Sequence, residues 1–125
     1  MSKQMIHTDQ APKTIGAYSQ AIRHGQTLYF SGQIGFNPQT MELVEGFEAQ
    51  TRQVFANIEA ILKAADLQLE HIVKLTVLLS DLSYFDTVNK VMEELFSRPY
   101  PARAAYAVKA LPKGADIEIE GVAAY

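Results

Sequence analysis

One arginine and two glutamates stand in otherwise apolar surroundings near the end of the chain: Arg103, Glu118 and Glu120, within PYPARAAYAVKALPKGADIEIEGVAAY. A guanidinium offers a carboxylate two parallel charge-assisted hydrogen bonds, stronger and more fixed in direction than neutral ones. Arg103 follows Tyr100-Pro101-Ala102 and opens the apolar run from Ala104 to Val108, so it leaves the chain where a loop becomes a strand. That position suits a clamp for a small anion. Leu111-Pro112-Lys113-Gly114 then reads as a turn, proline fixing one φ and glycine permitting a positive one. In the strand beyond it, a period of two sets Ile117 and Ile119 on one face and Glu118 and Glu120 on the other. The two strands are expected side by side, with one carboxylate returning close to Arg103, so that a cation and an acid share a site. Taken singly, each residue also fits an ordinary role, an ion pair for Arg103 and a solvated strand face for the glutamates.

The rest of the chain must position these groups. From 47 to 65, Thr51, Val54, Phe55, Ile58, Ile61, Leu62 and Ala65 recur at intervals of three and four, the period of an amphipathic helix. A second helix is expected after Ser83, with Asp86 completing a capping box and Phe85, Val88, Met92, Leu95 and Phe96 forming its buried stripe. Asn89 falls on that stripe, where an amide must find partners or cost about 1–3 kcal/mol. Between the helices, 72–79 reads as an internal strand with Val73, Leu75, Val77 and Leu79 on one face. Before them, 4–8 is a short strand, and 19–23 and 27–31 form a hairpin across His24-Gly25-Gln26. Gly32, Gly35 and Asn37-Pro38 then end the strand in a mobile or closely packed loop. Two helices cover one face of such a sheet, and the other face, which carries Leu78, needs a partner.

The 125 residues, 48% hydrophobic, suffice for one domain with a real core. A net charge of −3 and a pI near 5.5 provide no basic field for a phosphate backbone, which disfavours nucleic acid. With no cysteine, disulfides, thiol nucleophiles and thiolate metal sites are excluded, and a reducing compartment fits. His7, His24 and His71 lack the spacing of a metal site. No apolar run reaches the roughly 18 residues that span a bilayer, and no signal-like core precedes the fold, so the cytoplasm is the expected address.

The segments GAYSQAI, LYFSGQIG, VKLTVLLSDLSYFDTVNKV and YPARAAYAV, with the closing LPK turn and E-I-E strand, resemble in order the blocks of the RidA proteins. These are the reactive intermediate deaminase branch of the YjgF/YER057c/UK114 family, and the resemblance covers almost all of the chain. It implies a single domain over 1–125 with a chorismate-mutase-like α+β fold, in which two helices pack on one face of a mixed sheet. Three such chains close into a barrel-like homotrimer with ligand clefts between subunits. The implied activity is hydrolysis of 2-iminobutanoate and 2-iminopropanoate to 2-keto acids and ammonia, without a cofactor or metal, clearing intermediates released by pyridoxal-phosphate-dependent dehydratases.

Carried over residue by residue, the resemblance makes Arg103 the carboxylate-binding arginine and Glu118 the water-positioning glutamate, with the backbone carbonyl of Ala105 also holding the water. Tyr18, Ser31, Gly32 and Asn89 match residues that line the cleft, and Glu120 stays a second candidate acid on the face of Glu118. Many relatives have a cysteine where this chain has Ala105 and a small polar residue where it has Ala104; their GPYSQ is GAYSQ here, with Ala17 replacing proline. Two other functions compete: a module that binds a small carboxylate without turnover, and the ribonuclease or translation-inhibitor role that some members carry. The acidic balance and the lack of a basic stripe argue against the second.

Overall fold

The computed structural model describes residues 2–125. Its elements run β1 (Gln4–Ile6), β2 (Ala21–His24), β3 (Thr27–Gln33), β4 (Phe36–Asn37), β5 (Glu42–Leu43), α1 (Phe47–Ala64), β6 (Ile72–Leu79), α2 (Phe85–Leu95), β7 (Ala102–Ala107) and β8 (Ile117–Ala124). Six strands form one sheet in the order β1-β2-β3-β8-β6-β7, while β4 and β5 make a separate small hairpin. Only β6 and β7 run parallel, the chain crossing between them through α2; every other pairing is antiparallel. This is the expected α+β arrangement of a mixed sheet with two helices on one face.

The apolar stripe of α1 buries Val54, Phe55, Ile58, Ile61 and Leu62 completely, and Val88, Val91 and Met92 do the same work on α2. They pack on Leu28, Phe30, Leu75, Val77, Leu79, Ile117 and Ile119, one face of the sheet. Each fully buried aliphatic side chain contributes about 1.5–3 kcal/mol of transfer free energy, so this layer dominates the fold's stability. Outside it the helices are joined by Arg52, which donates to Glu48 at 3.0 Å and Glu94 at 2.7 Å. Phe47 also stacks on Tyr84, with ring centroids 3.9 Å apart.

Four expectations are corrected. The strand over β6 does not place Val73 in the core: the register slips between Ile72 and Lys74, so Ile72 is buried and Val73 is 49% exposed. An extra residue at a bulge reverses the alternation on either side of it. Ser83 does not cap α2; Asp81 accepts from the Ser83 amide at 2.8 Å and caps a short 3₁₀ turn from which the helix departs. Gly32 does not end its strand, because β3 continues through it to Gln33 by way of an irregularity in its pairing with β8. Finally, β7 and β8 are not neighbours, since β6 lies between them.

The face of the sheet away from the helices carries Met5, Tyr29 and Tyr106, each at least half exposed (64%, 51% and 50%). Cross-strand register adds Ile22, Val122, Thr76 and Leu78 to the same face. Gly121 sits in the middle of the sheet, facing the core. A Cβ there would fall 2.5 Å from both the Lys74 carbonyl oxygen and Cζ of Phe30, so only glycine admits the phenyl ring.

Candidate functional site

Arg103 lies on β7, the edge strand, directly beside Leu75 of β6 and therefore on the helix side of the sheet. Its guanidinium is held from three directions. Nη1 donates to Asn89 Oδ1 at 2.8 Å and approaches Met92 Sδ at 3.4 Å, while the cation sits over the Phe85 ring at 5.0 Å. All three partners come from α2, and 85, 89 and 92 share one helix face because four and three residues each make about one turn. No carboxylate among the described residues pairs with Arg103. A half-buried arginine aimed by an amide and an aromatic ring, with its remaining donors uncommitted to an acid, can take a carboxylate from outside. Tyr100 and Pro101 line the same cavity of about 320 Å³.

Glu118 lies on β8 beside Leu78, on the opposite face of the sheet. Its carboxylate crosses Gly32, where a Cβ would stand 2.6 Å from Oε2 and 2.9 Å from Cδ. The irregularity of β3 thus places a glycine where a side chain would displace the acid. Burial raises the Glu118 pKa above its ordinary value of 4.5, and the nearby charge of Glu120 raises it further. A carboxyl shifted toward neutrality is better matched to taking up and returning a proton. Tyr18, Ser31, Gly32, Glu118 and Glu120 all line one cavity of about 450 Å³. Ser31 is tied to the neighbouring chain, its hydroxyl donating to the Ser19 carbonyl at 2.6 Å and its amide to the Gln20 carbonyl at 3.0 Å. The Tyr18 hydroxyl accepts from the Ile15 amide at 3.4 Å.

The structure therefore gathers the sequence candidates into two groups. Arg103 and Asn89 touch, with Ala105 two residues further along β7; Tyr18, Ser31, Gly32 and Glu118 share the larger cavity. Within one chain the groups do not meet. The expectation that Glu118 returns close to Arg103 fails because β6 separates their strands and the register puts them on opposite faces. Each group holds some of the candidate residues and not the others.

Some contributors escaped the sequence reading. Phe85 and Met92 pattern as ordinary core residues, and only their contact with Arg103 shows the second use. Gln20, within the GAYSQ segment, is buried and holds the loop over the larger cavity: Nε2 donates to the carbonyls of Thr8 at 3.0 Å and Pro12 at 2.9 Å, and Oε1 accepts from the Thr8 amide at 2.8 Å. A glutamine after a run of turn residues was the available signal. Among the described residues no three His, Asp or Glu side chains converge as metal ligands.

Comparison with known proteins gives the class. A family model described as Endoribonuclease L-PSP matches residues 8–125, and the chain belongs to this family, the RidA-like (YjgF/YER057c/UK114) proteins. A human relative named 2-iminobutanoate/2-iminopropanoate deaminase is 48% identical over 97% of this chain and 89% of its own. The crystal structure of RidA from an Antarctic Psychrobacter superposes with a TM-score of 0.96 at 54% identity, covering 98% of this chain and 99% of that one. Escherichia coli TdcF with bound serine superposes with a TM-score of 0.92 at 37% identity, covering 98% of both chains.

Proposed function

We propose that this single-domain chain is a 2-iminobutanoate/2-iminopropanoate deaminase, hydrolysing small 2-imino acids to 2-keto acids and ammonia and so removing reactive products of pyridoxal-phosphate-dependent dehydratases in the cytoplasm. The observation that carries the reading is the Arg103 guanidinium, aimed by Asn89, Met92 and Phe85 and left without an acidic partner. The name of the human relative supports the reaction, and the serine bound by TdcF supports a small ligand with an α-carboxylate.

In this reading Arg103 grips the substrate carboxylate through two parallel hydrogen bonds and fixes the neighbouring C2. The protonated imine makes C2 electrophilic. A water held by Glu118 and the Ala105 carbonyl adds to it, Glu118 taking the water's proton as the C–O bond forms. Glu118 then returns that proton to nitrogen, the C–N bond breaks, and the hydroxyl gives its proton to the departing ammonia as the ketone forms. Water supplies the oxygen and no electrons leave the system. Because Arg103 and Glu118 occupy opposite sheet faces, a complete cleft takes Arg103 from one subunit and Glu118 from the next. A homotrimer closing over the exposed sheet face provides three such clefts.

The test is the decay of freshly generated 2-iminobutanoate with wild-type protein, with Arg103→Ala and with no protein. Wild type accelerates the decay and Arg103→Ala, still folded, matches the spontaneous rate. If wild type also matches the blank but binds 2-ketobutyrate through Arg103, the protein is a carboxylate-binding module.

A further inference from the structure

The last turn of α2 carries two consecutive acids, Glu93 and Glu94, with different surroundings. Glu94 is held by Arg52, whose Nη2 donates to it at 2.7 Å. Glu93 forms no ion pair among the described residues and lines the Arg103 cavity together with Asn89, Met92, Tyr100 and Pro101. It stands four residues after Asn89, one helical turn further along the face that aims the guanidinium. This exposed acid does not close on the arginine, so the clamp stays open with a negative charge at its mouth. That charge opposes any anion approaching Arg103.

The protonated imine and the keto acid differ in net charge. The first carries a cationic nitrogen beside its carboxylate and is neutral as a whole; the second is an anion. Arg103 alone pulls on the carboxylate of both. A negative charge beside the clamp weakens the anion and leaves the zwitterion, whose nitrogen it attracts, nearly unaffected. We propose that Glu93 is a specificity-determining residue: it lets the site release the keto acid, and refuse keto acids from solution, while still taking the iminium form. This rests on the deaminase reading.

The experiment compares binding of 2-ketobutyrate with binding of 2-aminobutanoate, a stable zwitterion of the same length, by calorimetry in wild type, Glu93→Gln and Glu59→Gln. The last removes the same charge from a residue that does not line this cavity. At low salt Glu93→Gln binds 2-ketobutyrate about three- to tenfold more tightly, the order expected of one charge several ångströms away near a protein surface, whereas 2-aminobutanoate changes by less than about twofold. Salt of about 1 M, where the screening length is about 3 Å, removes the difference. Inhibition of 2-iminobutanoate decay by 2-ketobutyrate strengthens in parallel. An unchanged ratio of the two affinities in Glu93→Gln, an equal change in Glu59→Gln, or equal tightening of both ligands overturns the inference and leaves the deaminase reading standing. Wild type that fails to accelerate imine decay, while the affinity ratio still depends on Glu93, overturns the deaminase reading alone.

Discussion

Glu118 is half-buried, in surroundings that favour the neutral acid over the charged carboxylate. Its folded pKa is raised by burial and then by Glu120, so the folded state favours the protonated form. The stability this confers is present in full below the ordinary value of 4.5 and is lost as pH rises through the higher folded value. Glu118→Gln keeps the shape and never ionises there. Its thermal midpoint is therefore expected above that of wild type at neutral pH, the difference closing as pH falls below the ordinary glutamate range, while deaminase activity drops by about 10²–10⁴. In Glu120→Gln one of the two causes is gone, so the acid limb of kcat/KM moves to lower pH. A limb that stays in place, or moves upward, removes Glu118 from the role of proton acceptor. Asn89 illustrates the same principle in neutral form: the sequence marks it as an amide among apolar neighbours, and its bond to Arg103 is the partner that position demands.

At the level of elements, periodicity carried most of the fold. The stripe of α1 and the alternation of β8 fall where their residues predict, because each buries one face against the core and a slip would expose the whole set. What alternation cannot carry is an inserted residue or a strand order. Val73 has the hydrophobicity of a core residue and is displaced by a bulge, and β7 and β8, consecutive in sequence, are parted by β6. The identity of Arg103 and Glu118 as candidates was thus legible, while their separation was not: it depends on long-range pairing that no local pattern encodes. Gly121 is a similar case, unremarkable in sequence and fixed by the Phe30 ring and the Lys74 carbonyl. Gly121→Ala must shift backbone or ring, and we expect it to lose about 1–3 kcal/mol in urea unfolding, as overpacked cores do. A stability equal to wild type would mean that β6 and β8 yield at this point without cost.

For the whole molecule, the decisive fact is that the sheet is a wall with one group of candidate residues on each side. If subunits share clefts, two defects can complement. Arg103→Ala and Glu118→Gln, each inactive alone, are expected to regain about one quarter of wild-type activity after equal amounts are unfolded and reassembled together, because random assortment pairs an intact arginine with an intact glutamate in that fraction of clefts. Mixtures that remain inactive while hybrid oligomers form would place both residues in one subunit's site. The exposed Met5, Tyr29 and Tyr106 supply the apolar ground on which such an assembly would rest. The β6 partition also has a consequence for how the activity begins. With clefts shared between subunits, a newly made chain would have nowhere to complete a reaction, so output would rise more steeply than in proportion to the number of chains while they are scarce and become proportional once assembly saturates. Synthesis then acts as a threshold, and protection arrives only when enough copies have found one another.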